Sequence, residues 1–179
     1  MAPTEPSAAV ILDRDGVIND HRHYVNSRAD FILFDDSAAA IRQLNEHDYL
    51  VAVATNQGGV GLGYMSAEAL QDVHEFMVSE LRDLGARIDE IAVCPHAPHA
   101  GCSCRKPKPG LLLELQERLN FNLAVSYMVG DRETDVQAGQ AAGTKTVKIG
   151  KGPSKADYIA ATLSDAVRWI LADANDANR

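Results

Sequence analysis

Short apolar runs alternate with longer amphipathic stretches along the whole chain. Residues 8–12, 50–54, 88–93 and 126–129 are largely apolar and have the length of buried strands, and 144–149 reads as a fifth strand. Between and after them, residues 36–48, 66–84, 109–119, 133–142 and 163–171 read as helices with one apolar side, such as Ala39, Ala40, Ile41 and Leu44 in the first. Ser66 stands where an N-cap is expected, with Glu68 in the first turn. Pro109 suits the first turn of its helix, and Gly143 ends the helix before it. The tail after Asp173 reads as frayed. Strands apolar on both faces, alternating with helices, predict an α/β fold: a Rossmann-like parallel sheet covered by helices on both faces. Residues 1–179 show no repeat, linker or low-complexity segment and read as one domain.

The polar residues at the strand ends change the picture. Asp13, Thr55 and Asp131 close three predicted strands, and in an open α/β sheet those carboxyl ends form the ligand crevice. In Asp13-Arg14-Asp15-Gly16 the glycine permits a turn that lets two carboxylates converge. Such a tetrapeptide is also ordinary turn chemistry, and Asp131 could simply cap the next helix. Together they say more: two carboxylates ~4 Å apart repel by roughly 4 kcal/mol at an effective dielectric of 20. A hard oxygen-liganded cation such as Mg²⁺ would relieve that.

Charge and cysteines narrow the field. Seventeen Lys and Arg against 25 Asp and Glu leave a net charge of −8, which argues against nucleic acid or an anionic membrane as partner. Residues 1–9 lack the basic start and apolar run of a leader, and no run reaches the ~18 apolar residues of a membrane span. A cytoplasmic protein is expected, and no large apolar interface speaks against a monomer. Cys94, His96, Cys102 and Cys104 give C-x-H-x5-C-x-C, a donor set common for structural zinc, with His99 as a competing ligand. The zinc loop would span about 94–107 and place Arg105 and Lys106 beside the crevice.

In chain order, Asp13-Arg14-Asp15-Gly16, Thr55-Asn56, Lys106-Pro107-Lys108-Pro109 and Gly130-Asp131 with Asp135 resemble the four motifs of the haloacid dehalogenase-like phosphatases. The resemblance covers almost the whole chain. It implies a phosphoric monoester hydrolase in which Asp13 is the nucleophile and Asp15 the general acid and base. Thr55 and Lys106 would bind the phosphoryl oxygens. Mg²⁺ would be held by Asp13, the backbone carbonyl of Asp15, and Asp131.

Within that superfamily, Cys94-Pro95-His96, Cys102-Ser103-Cys104-Arg105-Lys106-Pro107 and Thr55-Asn56-Gln57-Gly58 are most similar to the D-glycero-D-manno-heptose 1,7-bisphosphate 7-phosphatases. Histidinol-phosphate phosphatases share most of these motifs and are the alternative. The resemblance implies a small phosphorylated sugar as substrate, touched by His21, Arg22, His23, Tyr24, Thr55, Asn56, Gln57, Gly58, Arg105, Lys106 and Arg132. The stretch from Arg14 to Asp35 is too short for a domain-sized insertion of ~50 residues or more, so no large cap is expected.

One segment departs from the family pattern. Family members often read Ser-Gly-Ile-Ala-Arg-Gly after Thr-Asn-Gln, where this chain has Gly58-Gly59-Val60-Gly61-Leu62-Gly63. A cation is absent at Leu62, and the spaced glycines read as backbone that could approach an anion or as a loop that moves. The anomer and the recognition of a second phosphate stay open on these residues.

Overall fold

A computed structural model describes residues 7–177; residues 1–6, part of the stretch read above for a leader, lie outside the described residues. The elements are β1 (Ala9–Leu12), α1 (Ser37–Glu46), β2 (Leu50–Asn56), α2 (Ala67–Asp83), β3 (Glu90–Cys94), α3 (Gly110–Leu119), β4 (Tyr127–Gly130), α4 (Glu133–Ala142), β5 (Lys145–Ile149), β6 (Tyr158–Ala160) and α5 (Leu163–Ala177). Short 3-10 turns lie at Arg28–Asp30 and Leu123–Val125.

All strand pairs are parallel, in the order β3-β2-β1-β4-β5-β6. The continuous apolar runs of β1 and β2 suit this arrangement because both faces of the sheet are covered. Val10 and Leu12 of β1 point into one core with residues of α1, α2 and α5. Ala9 and Ile11 point into the other, with Leu111, Leu112 and Leu115 of α3 and Ala138 of α4. The expected Rossmann-like architecture is therefore the one observed.

The chain builds outward from β1 through β2 to β3, then returns to β4 on the other side of β1. That reversal opens a crevice at the carboxyl ends of β1 and β4, where Asp13 and Asp131 emerge. Ser66 caps α2 as expected, its side chain accepting from the Ala69 N–H at 3.1 Å.

Two details differ from the sequence reading. A sixth strand, β6, joins the sheet edge beside β5. It follows a turn in which Asp157 accepts from both the backbone N–H and the hydroxyl of Thr146. The last helix also runs on to Ala177 instead of fraying after Asp173. Asp173 accepts from Tyr127 Oη at 2.7 Å and pairs with Lys145 at 2.5 Å, which ties the last turns to β4 and β5.

Candidate active site

Backbone geometry carries the acidic groups into the crevice. The Asp13 N–H donates to Val129 O at 2.9 Å, holding Asp13 beside β4. Gly16, with φ +82°, then turns the chain back, in a left-handed conformation that favours glycine. A Cβ there would lie 2.3 Å from Asp131 Oδ2, so the missing side chain is also the space that Asp131 occupies. Gly130 has the same role at the end of β4: a Cβ would meet that of Asp135 at 2.1 Å.

Carboxylate oxygens of Asp13, Asp131 and Asp135 all lie within 4.8 Å of one another. Lys106 sits among them, 3% exposed, with Nζ 3.0 Å from Asp13 Oδ1, 2.7 Å from Asp135 Oδ1 and 2.7 Å from Ala54 O. Its peptide is clamped by the Asn56 side chain, which donates to Lys106 O and accepts from Lys106 N, both at 3.1 Å. Asp135 also accepts from the Arg132 N–H at the start of α4.

The electrostatics follow from this crowding. Burial pushes the Asp13 carboxyl up to about 6, against the pull of Lys106 and with added repulsion from Asp135 and Asp15. Asp131 is also raised, by burial and then by the charge of Asp13, with His21 opposing from 3.7 Å. Asp131 Oδ1 is buried with no hydrogen-bond partner. Three clustered carboxylates, one with an orphaned oxygen, fit a hard divalent cation of the Mg²⁺ type. Lys106 and the Arg132 N–H occupy Asp135, so Asp13 and Asp131 are the side chains left to hold it.

Asp15 turns away from that cluster. Arg14 donates to both its carboxylate oxygens at 2.9–3.1 Å, Asn19 to Oδ1 at 3.0 Å and Gln57 to Oδ2 at 2.9 Å. Burial raises Asp15, but the Arg14 charge and these bonds outweigh it and hold the carboxyl below its ordinary value. Gln57 donates to Thr55 Oγ1 as well, at 2.8 Å, joining Asp15 to the end of β2.

Above these groups opens a cleft of about 980 Å³. It is lined by His21, Arg22, His23, Tyr24, Asn56, Gln57, Gly58, Arg105 and Arg132, while Thr55 and Lys106 are buried beneath it. Arg22 is paired with Asp20 at 2.5 Å, its side chain mostly in solvent.

Within the glycine segment Gly58 and Gly59 line the cleft, while the residues after them are tied to backbone carbonyls. The N–H groups of residues 60–64 all bond to backbone carbonyls, Gly61 to Pro95 O at 2.8 Å. A Cβ on Gly61 would lie 2.5 Å from Ala97 N. Its absence lets the Cys/His loop pack close. Leu62 is half-exposed on the cleft wall.

In that loop, ligand atoms of Cys94, His96, Cys102 and Cys104 gather within 4.8 Å of one another, and His99 is not among them. Their closest separations run from 3.0 Å, between Cys94 and Cys104, to 3.6 Å, between Cys94 and Cys102. A tetrahedral site with Zn–S of about 2.3 Å has edges of about 3.8 Å, so the spacing is close to a metal-bound one. Burial and the neighbouring thiols push Cys104 up to about 12. Burial also raises Cys102, but the Arg105 N–H and the other two thiols outweigh it and bring Cys102 down to about 6. A cation would let all three ionise together.

A HAD-hydrolase-like family model matches residues 103–177. The D-glycero-beta-D-manno-heptose-1,7-bisphosphate 7-phosphatase of Yersinia pestis is 38% identical, covering 94% of this chain and 98% of its own length. Its counterpart in Rhodopseudomonas palustris is 42% identical, covering 79% of this chain and 82% of its own. Among solved structures, the D,D-heptose 1,7-bisphosphate phosphatase of B. bronchiseptica, complexed with magnesium and phosphate, superposes with a TM-score of 0.85. It is 32% identical, covering 93% of this chain and 99% of that one.

The chain belongs to the haloacid dehalogenase-like phosphatase family.

The geometry of this phosphatase brings together Asp13, Asp131, Thr55 and Lys106 under one cleft, with the residues named for substrate around it. Asp135 is a larger part of the site than a helix cap, because it shares Lys106 with Asp13. Its signal was present in Gly130-Asp131-x-x-x-Asp135, one helical turn past the strand. His74, in contact with Arg14, gave no sequence signal at all: it stands in the apolar stripe of α2 with Leu70, Val73, Met77 and Leu81.

Proposed function

We propose that this chain is a Mg²⁺-dependent phosphatase that removes the 7-phosphate of D-glycero-β-D-manno-heptose 1,7-bisphosphate through an aspartyl phosphate on Asp13. The observation that carries it is the buried Asp13–Lys106–Asp135 cluster with the orphaned Asp131 oxygen, beneath a cleft with Arg22, Arg105 and Arg132 in its wall. The names of the relatives supply the sugar and the anomer.

Asp13 Oδ1 is held by Lys106 and the Arg14 N–H, so Oδ2 is the oxygen free to attack phosphorus. As its bond to phosphorus forms, the bond to the sugar oxygen breaks, and Asp15 gives that oxygen a proton. The incoming phosphate dianion favours the protonated form of Asp15 that Arg14 opposes at rest. Water, losing its proton to Asp15, then attacks phosphorus and frees Asp13. Thr55 Oγ would supply a donor for the phosphoryl oxygens, and the Lys106 ammonium, whose three N–H groups point at Asp13, Asp135 and Ala54 O, would supply positive charge beside them. Bound by Asp13, Asp131 and the Asp15 carbonyl, Mg²⁺ would neutralise charge on the phosphoryl group.

Zn²⁺ held by Cys94, His96, Cys102 and Cys104 is the reading we favour for the loop, as a structural ion with no open position for substrate. It would fix Arg105 and Lys106, one and two residues beyond its last ligand. Reduced thiols at ligand spacing suit the cytoplasm. His21, Arg22, His23 and Tyr24 on one short insert and Arg105 on the other would cover the sugar in place of a cap domain, within a single domain of residues 1–179. Asn56, Gln57, Gly58 and Arg132 would line its path.

Phosphate release from heptose 1,7-bisphosphate should far exceed release from histidinol phosphate at equal concentration. The reverse order would move the chain to the histidinol-phosphate phosphatases.

A further inference from the structure

Behind the crevice lies a second row of polar groups. Arg14 is 1% exposed and is the largest fully buried side chain among the described residues. Its Nε and Nη2 fork onto Asp15, and its Nη1 faces His74 Nε2 on α2 at 3.1 Å. A guanidinium keeps its protons, so the ring nitrogen is the acceptor and His74 carries its proton on Nδ1. Burial, and then the Arg14 charge, push His74 down to about 4, which leaves the ring neutral at physiological pH.

We propose that His74 is a positioning residue for the leaving-group step: by accepting from Arg14 it fixes the fork that sets where the Asp15 carboxylate sits in the cleft. The proposal rests on Asp15 being the general acid. Arg14 without His74 keeps a long side chain and its charge but loses the anchor on its far nitrogen. Asp15 would then follow a guanidinium free to swing.

The test uses the dependence on leaving group. A sugar alkoxide needs a proton to depart, whereas p-nitrophenolate leaves without one. With both substrates kcat/KM reports only the steps up to aspartyl phosphate formation. His74→Leu should lower kcat/KM about tenfold more on heptose 1,7-bisphosphate than on p-nitrophenyl phosphate, a fraction of the 10²–10⁴ that a general acid supplies. His74→Gln, whose amide oxygen can accept from Arg14, should restore the ratio.

His74 also lines an open groove of about 700 Å³ between α2 and β3. A cavity variant, His74→Ala, should therefore regain the sugar-to-aryl ratio when imidazole is added, which keeps the test alive if the leucine variant does not fold. Asp15→Asn is the control and should show the same skew, larger. Equal losses on both substrates in the His74 variants, with the skew present in Asp15→Asn, would overturn the positioning role alone. No skew in Asp15→Asn would remove the general acid and the positioning role with it.

Discussion

The acidic crevice and the Cys/His loop are both clusters of metal-ligand side chains, yet they are built in opposite ways. The crevice draws Asp13, Asp131 and Asp135 from two strand ends and a helix start, all anchored in the sheet. Asp13 and Asp135 are nearly sealed from solvent and share a lysine. The loop draws its donors from eleven consecutive residues, 94–104, whose stretch between the outer ligands is largely exposed. Cys94, at the end of β3, is buried in a core, and Cys102 and Cys104 pack against that core only partly buried. The first cluster is anchored to the sheet by the Asp13 N–H bond to Val129 O and by the shared lysine. The stretch between the second cluster's ligands buries little apolar surface, so we expect its shape to depend on a bound ion.

That contrast can be broken by experiment. Asp13→Asn removes the nucleophile and should cost on the order of 10⁴-fold or more in turnover. It should cost little or nothing in melting temperature, because burial already disfavours the Asp13 charge. A large fall in both would mean that the crevice needs its charges in order to fold. Cys104→Ser should do the opposite: zinc content falls, limited proteolysis cuts within residues 95–103, and turnover drops about 10–100-fold through displaced Lys106. A variant with normal activity and an uncut loop would show that the loop stands by itself.

The smallest effect is expected in the layer behind the crevice. His74 is depressed from 6.5 to about 4 on folding, so the unfolded chain takes up its proton first as pH falls. The stability contributed by the neutral ring is present above pH 6.5 and is lost as pH drops toward 4. Between pH 7 and pH 5 this amounts to about 2 kcal/mol at 1.36 kcal/mol per pH unit. In urea melts His74→Gln should lack that part of the pH dependence. Identical slopes for the two proteins would place the proton elsewhere.

Much of this was legible from residue order. The apolar strands β1, β2 and β4 announce themselves, and the acidic residues closing β1 and β4 mark the crevice, since a parallel sheet sends every strand's carboxyl end to one edge. β6 did not show, because Tyr158–Ala160 is short, half of it faces solvent, and a long-range contact from Asp157 to Thr146 helps to seat it. The glycines at 58–63 were ambiguous because permissive backbone, as at Gly63, and close packing, as at Gly61, leave the same letter in a sequence. Only coordinates reveal that Gly61 is pressed against Ala97. His74 was hidden for a related reason: a helix period places it inward, but nothing in the period says that it would meet a guanidinium.

Gly130 closes the sheet's central strand pair with no side chain and no part in the chemistry, yet Asp135 rests directly on its α-carbon. A single methyl group at that point would push the carboxylate off, and the ammonium it shares with Asp13 would lose half of its footing. Harm to the reaction can thus arrive from a position that no list of reactive groups would include, in a protein whose sheet and helices are otherwise intact.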